Sequence, residues 1–324
     1  MRILLASDHE YPANDGIGSG LHPRALPSGS GYIVHDLLAK GLAESGQDVF
    51  YSVLKAHHRL SPPGVNLVVE PRQDVDVVHF SDYNAASGRE WQSRHQPWVT
   101  TCHLDNRTRG MERATTTDNW IFVSRTLAQA HGYERYVWNG IDPAEYIYNE
   151  SKDDYFLFMS SMNWGSRKGL DVALSLSKQL GFKLVIAGTA GNYDRIRDVQ
   201  EMCREVGAVY VGDVRGKRKA ELLAGARGFL FPTEVNEAFG LGMVEALMSG
   251  TPVICSDRGA CPEIISPEVG FVCRDRDQYV AAIERIADIS PRACRDKAMK
   301  DYHYRRMAAD YVVEYEKELG RNGD

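Results

Sequence analysis

The chain has 324 residues, long enough for two α/β cores of about 150 residues each rather than one. Hydrophobic residues make up 43% and charged residues 25%, and 38 Lys+Arg against 44 Asp+Glu give a net charge of −6. This composition excludes a global positive field that would draw the protein to nucleic acid, and no apolar run reaches the roughly 18 residues of a membrane-spanning helix.

A short apolar strand opens the chain at 2–7, within MRILLASDHEYP, which lacks the apolar core of a signal peptide. A loop over 8–27 with three glycines and three prolines follows, and loops of that length in compact domains are usually functional. Gly29-Ser30-Gly31 then leads into a helical pattern over 31–46. Strands are predicted at 48–54, 65–70, 75–80, 98–103, 120–124 and 136–140. The segment 139–154 is polar, contains a proline and precedes a fresh apolar strand, which marks a linker. Beyond it come strands at 155–160, 183–188, 209–214, 228–233, 252–257 and 270–273, with a helix over 169–181. Near-continuous apolar runs indicate strands buried on both faces, and their alternation with helices implies parallel sheets. From Asp301 to Leu319, Tyr304, Met307, Ala308, Tyr311, Val312 and Tyr315 recur at helical spacing, which predicts a terminal amphipathic helix that covers the first domain. The expected fold is α/β, with Rossmann-like domains at 1–148 and 149–300 and a terminal segment, 301–324, packing back on the first.

Cys102, Cys203, Cys255, Cys261, Cys273 and Cys294 include no C-x-x-C pair, so buried thiols are expected rather than disulfides or a zinc site. The expected location is cytoplasmic, with peripheral contact at the inner face of a membrane left open.

The densest chemistry lies in 231–265. A strand ends at Pro232, a loop carries Glu237, and Phe239-Gly240-Leu241-Gly242 leads into a helix bearing Glu245. Gly240 and Gly242 let backbone approach a ligand, and a helix start offers unpaired N–H groups to phosphate oxygens. Glu245 then suits ribose hydroxyls and Glu237 sugar hydroxyls; read alone, the pair equally fits an ordinary strand–loop–helix corner. Arg167 and Lys168, in the loop NWGSRKGL, are candidate phosphate ligands or a solvated basic turn. Asp74-Val75-Asp76 has the D-x-D form of a metal site but precedes a strand, where turns favour Asp, so no metal is expected. His103 closes a strand at the end where α/β folds bind ligands, and both structural and functional readings stay open. Arg107, Arg109 and Arg113 form a basic run that suits an anionic acceptor or simple solvation.

The segment resembles the signature of glycosyltransferase family four, a retaining GT-B group among the group 1 glycosyltransferases. Glu237, Phe239, Gly240, Leu241, Glu245, Ala246, Leu247, Gly250, Pro252, Val253, Ile254, Gly259, Pro262 and Glu263 match it in order. The likeness extends to Asn139-Gly140-Ile141-Asp142, Ile186-Ala187-Gly188 and Gly212-Asp213-Val214. It implies two domains facing each other across a cleft and transfer of a sugar, with retention, from a nucleoside-diphosphate sugar to a sugar, lipid-linked or small-molecule acceptor. The donor is a substrate, and no cofactor is implied. Glu237, His103 and Lys168 take the catalytic places. Glu245, Arg167, Phe239, Gly240, Leu241, Gly242, Gly29 and Gly31 take the donor-binding ones. One departure stands out: Ser160-Ser161 occupy the position of the family's Gly-Arg, whereas Lys168-Gly169 match its later Lys-Gly. Arg167 is then a shifted substitute. Competing readings are a GT-B-fold sugar-nucleotide epimerase and a non-catalytic nucleotide-sugar-binding subunit.

Overall fold

A computed structural model describes residues 1–7, 9–11, 30–53, 55–56, 61–68, 74–81, 97–104, 119–164 and 166–321. They form two compact units, Met1–Asp142 with Tyr302–Asp324, and Pro143–Asp301.

The first unit is built on a six-stranded parallel sheet. Its strands are β1 (Arg2–Ala6), β3 (Asp48–Ser52), β5 (Val65–Val68), β6 (Val77–Phe80), β7 (Trp98–Cys102) and β8 (Trp120–Phe122), in the order β5-β3-β1-β6-β7-β8. Leu4 pairs in register with Phe50 on one side and Val78 on the other. All three are buried hydrophobic core positions, so the apolar runs seen in the sequence are sheet interior. Two short strands, β2 (Glu10–Tyr11) and β4 (Lys55–Ala56), pair separately. The helices α1 (Ser30–Glu44) and α2 (Arg125–Ala130) follow the expected pattern, and α2 starts where Ser124 Oγ accepts from the Leu127 N–H at 3.1 Å.

The expected strand over 136–140 does not form. Tyr136 makes a single bridge with Phe122, after which the backbone turns its hydrogen bonds elsewhere. The Ile141 N–H donates to Tyr302 O at 2.8 Å, and Ile141 O accepts from the Tyr304 N–H at 3.1 Å. This stretch ties the returning chain to the first unit instead of extending its sheet.

The second unit carries β9 (Phe156–Met159), β10 (Leu184–Ala187), β11 (Val209–Tyr210), β12 (Gly228–Phe231), β13 (Val253–Ser256) and β14 (Gly270–Cys273). Their order is β11-β10-β9-β12-β13-β14, again all parallel. Phe156, Phe158, Leu230 and Ile254 pack with Leu170, Leu174 and Leu176 of the flanking layer in one buried cluster. The helices here are α3 (Leu170–Leu180), α4 (Tyr193–Val206), α5 (Gly216–Gly225), α6 (Leu241–Met248), α7 (Cys261–Ile264), α8 (Arg276–Arg285) and α9 (Pro291–Asp301).

The last helix, α10 (Tyr304–Arg321), belongs to the first unit and packs along α1. Tyr304, Met307, Ala308, Tyr311 and Tyr315 are buried, as the helical spacing predicts, whereas Val312 is half-buried. Glu314 and Glu318 are buried too, which a purely apolar pattern does not anticipate. Arg135 Nε donates to Glu314 at 2.7 Å and Nη1 to Glu318 at 3.0 Å, so the carboxylates enter the interface as a paired network. All six cysteines are buried free thiols. No described helix is long and apolar enough to cross a membrane.

Candidate active site

The second unit's site is assembled where β9 and β12 end. Gly169, at φ +84°, presses against the end of β12 so closely that a Cβ would stand 2.0 Å from Pro232 O. Arg167 O accepts the Glu234 N–H at 2.9 Å, which ties the same two loops a second time. Only glycine fits that contact, and it delivers Lys168 to the loop beyond β12. There Lys168 Nζ donates to Glu237 Oε2 at 2.6 Å, with both side chains mostly buried. The Glu237 backbone is held in turn from β13: the Ala260 N–H donates to Glu237 O at 2.8 Å, and a Cβ on Gly259 (φ +56°) would lie 2.3 Å from Glu237 N and O.

Past Glu237 the chain turns into α6. Gly240 is its N-cap at φ +91°, with no side-chain cap bond, so the Leu241 and Gly242 N–H groups have no intrahelical acceptor, whereas the Met243 N–H donates to Gly240 O at 2.9 Å. Leu241 and Gly242 form that turn and are half-buried. Glu245 follows one turn on. Its Oε1 accepts from Lys219 Nζ at 2.8 Å and from Tyr146 Oη at 3.0 Å. The corner therefore presents two carboxylates, each matched by one ammonium, beside an uncapped helix start, an arrangement suited to an anionic ligand that also carries hydroxyls. Thr233 Oγ1, at the end of β12, is buried without a hydrogen-bond partner among the described residues. On the same carboxyl edge of the sheet, a cavity of about 470 Å³ lies between Thr189, Ile196, Gln200, Tyr210, Gly212 and Asp213.

Lys168, Glu237, Gly240, Leu241, Gly242 and Glu245 thus share one strand–loop–helix corner. Phe239 is in the same segment but is 2% exposed and packs inward. Arg167 is exposed, and its structural contribution is the carbonyl bond to Glu234. Lys219 and Tyr146 carry no local signal: the first sits in a basic helical stretch, GKRKAE, and the second in the segment read as linker.

His103 and Gly31 come together in the first unit. A Cβ on Gly31 would stand 3.2 Å from His103 Cδ2, so the start of α1 closes over the ring. His103 Nε2 is shut off from solvent without a partner among the described residues, and burial pushes its pKa down to about 4. A neutral imidazole at a strand end can donate or accept one hydrogen bond but supplies no charge at pH 7. Behind it lies a buried cluster that the sequence did not announce. His79 Nδ1 meets Tyr315 Oη at 2.6 Å, its Nε2 meets Thr101 Oγ1 at 2.7 Å, and the His35 ring stands edge-on to His79 with centroids 5.0 Å apart. His9 bridges Ser7 Oγ at 2.7 Å and Asp36 at 2.9 Å. Gly29, Arg107, Arg109 and Arg113 lie outside the described residues.

The D-x-D pair is at the opposite end of the sheet, before β6. Asp76 accepts from the Arg2 N–H at 2.7 Å, a bond that holds its pKa below the ordinary value, and Asp74 faces the same arginine at 3.8 Å. Among the described residues no group of three His, Cys, Asp or Glu side chains is placed to hold a metal ion.

Residues 153–288, which contain the whole Lys168–Glu237–Glu245 corner, match the family of glycosyl transferases group 1. The second unit is a group 1 glycosyl transferase domain. This domain is similar in sequence to a curated relative, the MMP α-(1→4)-mannosyltransferase of Mycolicibacterium hassiacum, with 36% identity over 114 residues. That match takes in 32% of this chain and 27% of the relative, so the chain aligns with little more than a quarter of that protein's length. The fold as a whole matches solved GT-B structures. AviGT4, a glycosyltransferase involved in avilamycin A biosynthesis, superimposes with a TM-score of 0.78 at 23% identity, covering 98% of each chain. Anabaena HepE, solved in complex with UDP-glucose, gives a TM-score of 0.71 at 15% identity over 98% of this chain and all (100%) of that one. The group 1 domain therefore sits in a chain whose α/β architecture is GT-B throughout.

Proposed function

We propose that this chain is a retaining, metal-independent glycosyltransferase of family four that moves a sugar from a nucleoside-diphosphate sugar to an acceptor hydroxyl. The observation that carries the reading is the Lys168–Glu237 contact of 2.6 Å beside the uncapped start of α6, inside the group 1 domain. Leaving-group charge develops on the diphosphate in the transition state, and preorganised cations and N–H donors stabilise it. Lys168 and the first turn of α6 take that role. Glu237 positions the transferred sugar, and Glu245 accepts hydrogen bonds from the ribose. Charge neutralisation by Lys168 and backbone is what supports metal independence, and turnover that survives EDTA tests it. His103, neutral in its buried seat, suits a hydrogen bond to a sugar hydroxyl. The acceptor is a sugar, lipid-linked or small-molecule alcohol met by the first unit. The whole chain works in the cytoplasm, with peripheral membrane contact where the acceptor is lipid-linked.

The test is a thermal-shift screen with UDP, GDP, ADP and CDP and their sugars, followed by product analysis. Ligand at about 100 times its dissociation constant adds roughly 2.7 kcal/mol of stability. Lys168→Ala and Glu237→Ala are expected to lower turnover by about a hundredfold or more. A nucleotide sugar epimerised in the absence of acceptor, or a product of inverted anomeric configuration, overturns the reading.

A further inference from the structure

Glu245 is held in a way its proposed role does not by itself require. We propose that Lys219 and Tyr146 are positioning residues that orient the Glu245 carboxylate for the donor ribose, and so set a preference for ribonucleotides over 2′-deoxyribonucleotides. This rests on the donor-site reading above.

Both donors converge on one oxygen. Lys219 Nζ, from α5, and Tyr146 Oη, from the segment that enters the second unit, meet Glu245 Oε1 at 2.8 and 3.0 Å. Lys219 Nζ also stands over the Tyr146 ring, 5.6 Å from its centroid, so the two donors brace each other. Oε2 takes no hydrogen bond from any described residue. A terminal carboxylate torsion is broad and roughly two-fold, so an unrestrained Glu245 would sample many planes. Two donors on Oε1 fix the plane and leave Oε2 as the open acceptor. A vicinal ribose diol presents two O–H donors on one edge, and a carboxylate with a fixed plane and one free oxygen is a complementary acceptor for them.

The charge balance points the same way. Glu245 is 15% exposed and Lys219 21%, on the corner where the uncapped helix start suits an anion. An unneutralised carboxylate there would repel a diphosphate. Lys219 cancels it without leaving a free ammonium, because its Nζ is spent on Oε1. Lys168, the other lysine of the corner, is matched instead to Glu237.

The experiment measures dissociation constants by calorimetry for UDP, GDP, ADP and CDP and for their 2′-deoxy counterparts. The tightest binder is then followed in the full-length wild-type, Lys219→Met, Lys219→Arg and Tyr146→Phe proteins. Wild type is expected to prefer the ribonucleotide by about tenfold or more, as hydrogen bonds to charged groups are worth about 1.5–3 kcal/mol. Lys219→Met is expected to reduce that preference to within about threefold, with the donor KM rising and kcat at saturation changing little. Lys219→Arg should restore most of it. Tyr146→Phe removes one hydroxyl with no change of shape, is expected to halve the preference at least, and reports even where Lys219→Met folds poorly. Equal weakening of ribo and deoxy forms in both variants would mean a merely structural role and overturns the inference, while the donor-site reading stands. Binding of dTDP, measured alongside, but of none of the four ribonucleotides overturns the inference while the donor-site reading stands. If neither dTDP nor any of the four binds, that reading falls and the inference with it.

Discussion

Acidification from pH 7 to pH 5 should destabilise the first unit through its buried histidines before any paired carboxylate is touched. Burial holds the pKa of His79 down to about 3 and that of His103 down to about 4, and it pushes His35 well below the ordinary value of 6.5. The unfolded chain takes up these protons near pH 6.5, whereas the folded protein refuses them. The stabilisation is therefore complete above pH 6.5 and is lost progressively as the pH falls toward the folded values. One pKa unit corresponds to about 1.4 kcal/mol, so the 1.5 units down to pH 5 cost about 2 kcal/mol for each of His79 and His103. Their sum, about 4 kcal/mol, is a large part of the 5–15 kcal/mol by which domains are usually stable. His303, lowered from 6.5 by partial burial and the neighbouring Arg305, adds to the loss in the same direction, and the remaining shifted groups leave this window clear. Glu44 and Glu314 are held below 4.5, so their contribution disappears only in stronger acid. Lys152, brought down to about 8 by burial, is protonated in both states throughout the window. Urea unfolding at pH 7, 6 and 5, at constant ionic strength and followed by tryptophan fluorescence, measures the slope. His103→Asn should remove about half of the loss expected from these two rings. Stability that stays within about 0.5 kcal/mol from pH 7 to 5, or a His103→Asn protein with the full wild-type slope, would refute the reasoning.

Two further substitutions test the architecture. Gly259→Ala places a methyl 2.3 Å from Glu237 N and O at a backbone angle of φ +56°. It should displace the Glu237 loop, lowering turnover by at least about tenfold while costing about 1–3 kcal/mol in urea unfolding. Arg135→Met removes one cation from the buried Glu314 and Glu318, leaving Glu314 with Lys317 at 2.7 Å and Glu318 with Asn119 at 3.0 Å, and should cost about 1–3 kcal/mol, with Arg135→Met/Glu314→Gln/Glu318→Gln recovering much of that loss.

The second sheet was legible because its signal is local. FLFM at 156–159, GFLF at 228–231 and VICS at 253–256 are continuous apolar runs, and the structure puts each inside a parallel sheet. The strand expected at 136–140 stops after one bridge: the Val137 N–H still donates to Phe122 O, but Trp138 O accepts from Arg306 Nη2 at 2.6 Å and the Gly140 N–H donates to Met307 Sδ at 3.0 Å, partners no local window includes. Val209–Tyr210 ends sooner than the apolar run predicts, as Gly212 turns at φ +76° to receive the Gly188 N–H.

The candidate site divides in the same way. Glu237, Gly240 and Glu245 lie within nine residues of each other, and Lys168 precedes a glycine that admits a single tight packing, so spacing and residue type were enough to bring them forward. The partners of those carboxylates were not. Tyr146 is 99 residues from Glu245 and Lys219 is 26, and neither stands out from an ordinary tyrosine or surface lysine. The His79–Tyr315 and Thr101–Tyr311 bonds span 236 and 210 residues. By itself the sequence determined the α/β class, the two parallel sheets, the terminal helix and the glutamates of the strand–loop–helix corner, because periodicity and backbone chemistry act over a few residues. Only the tertiary structure decided which oxygen of Glu245 is held, which histidines are kept neutral and which glutamates are buried. Desolvation and hydrogen-bond partners are set by chain segments that meet only when the sheet ends and helices are packed together.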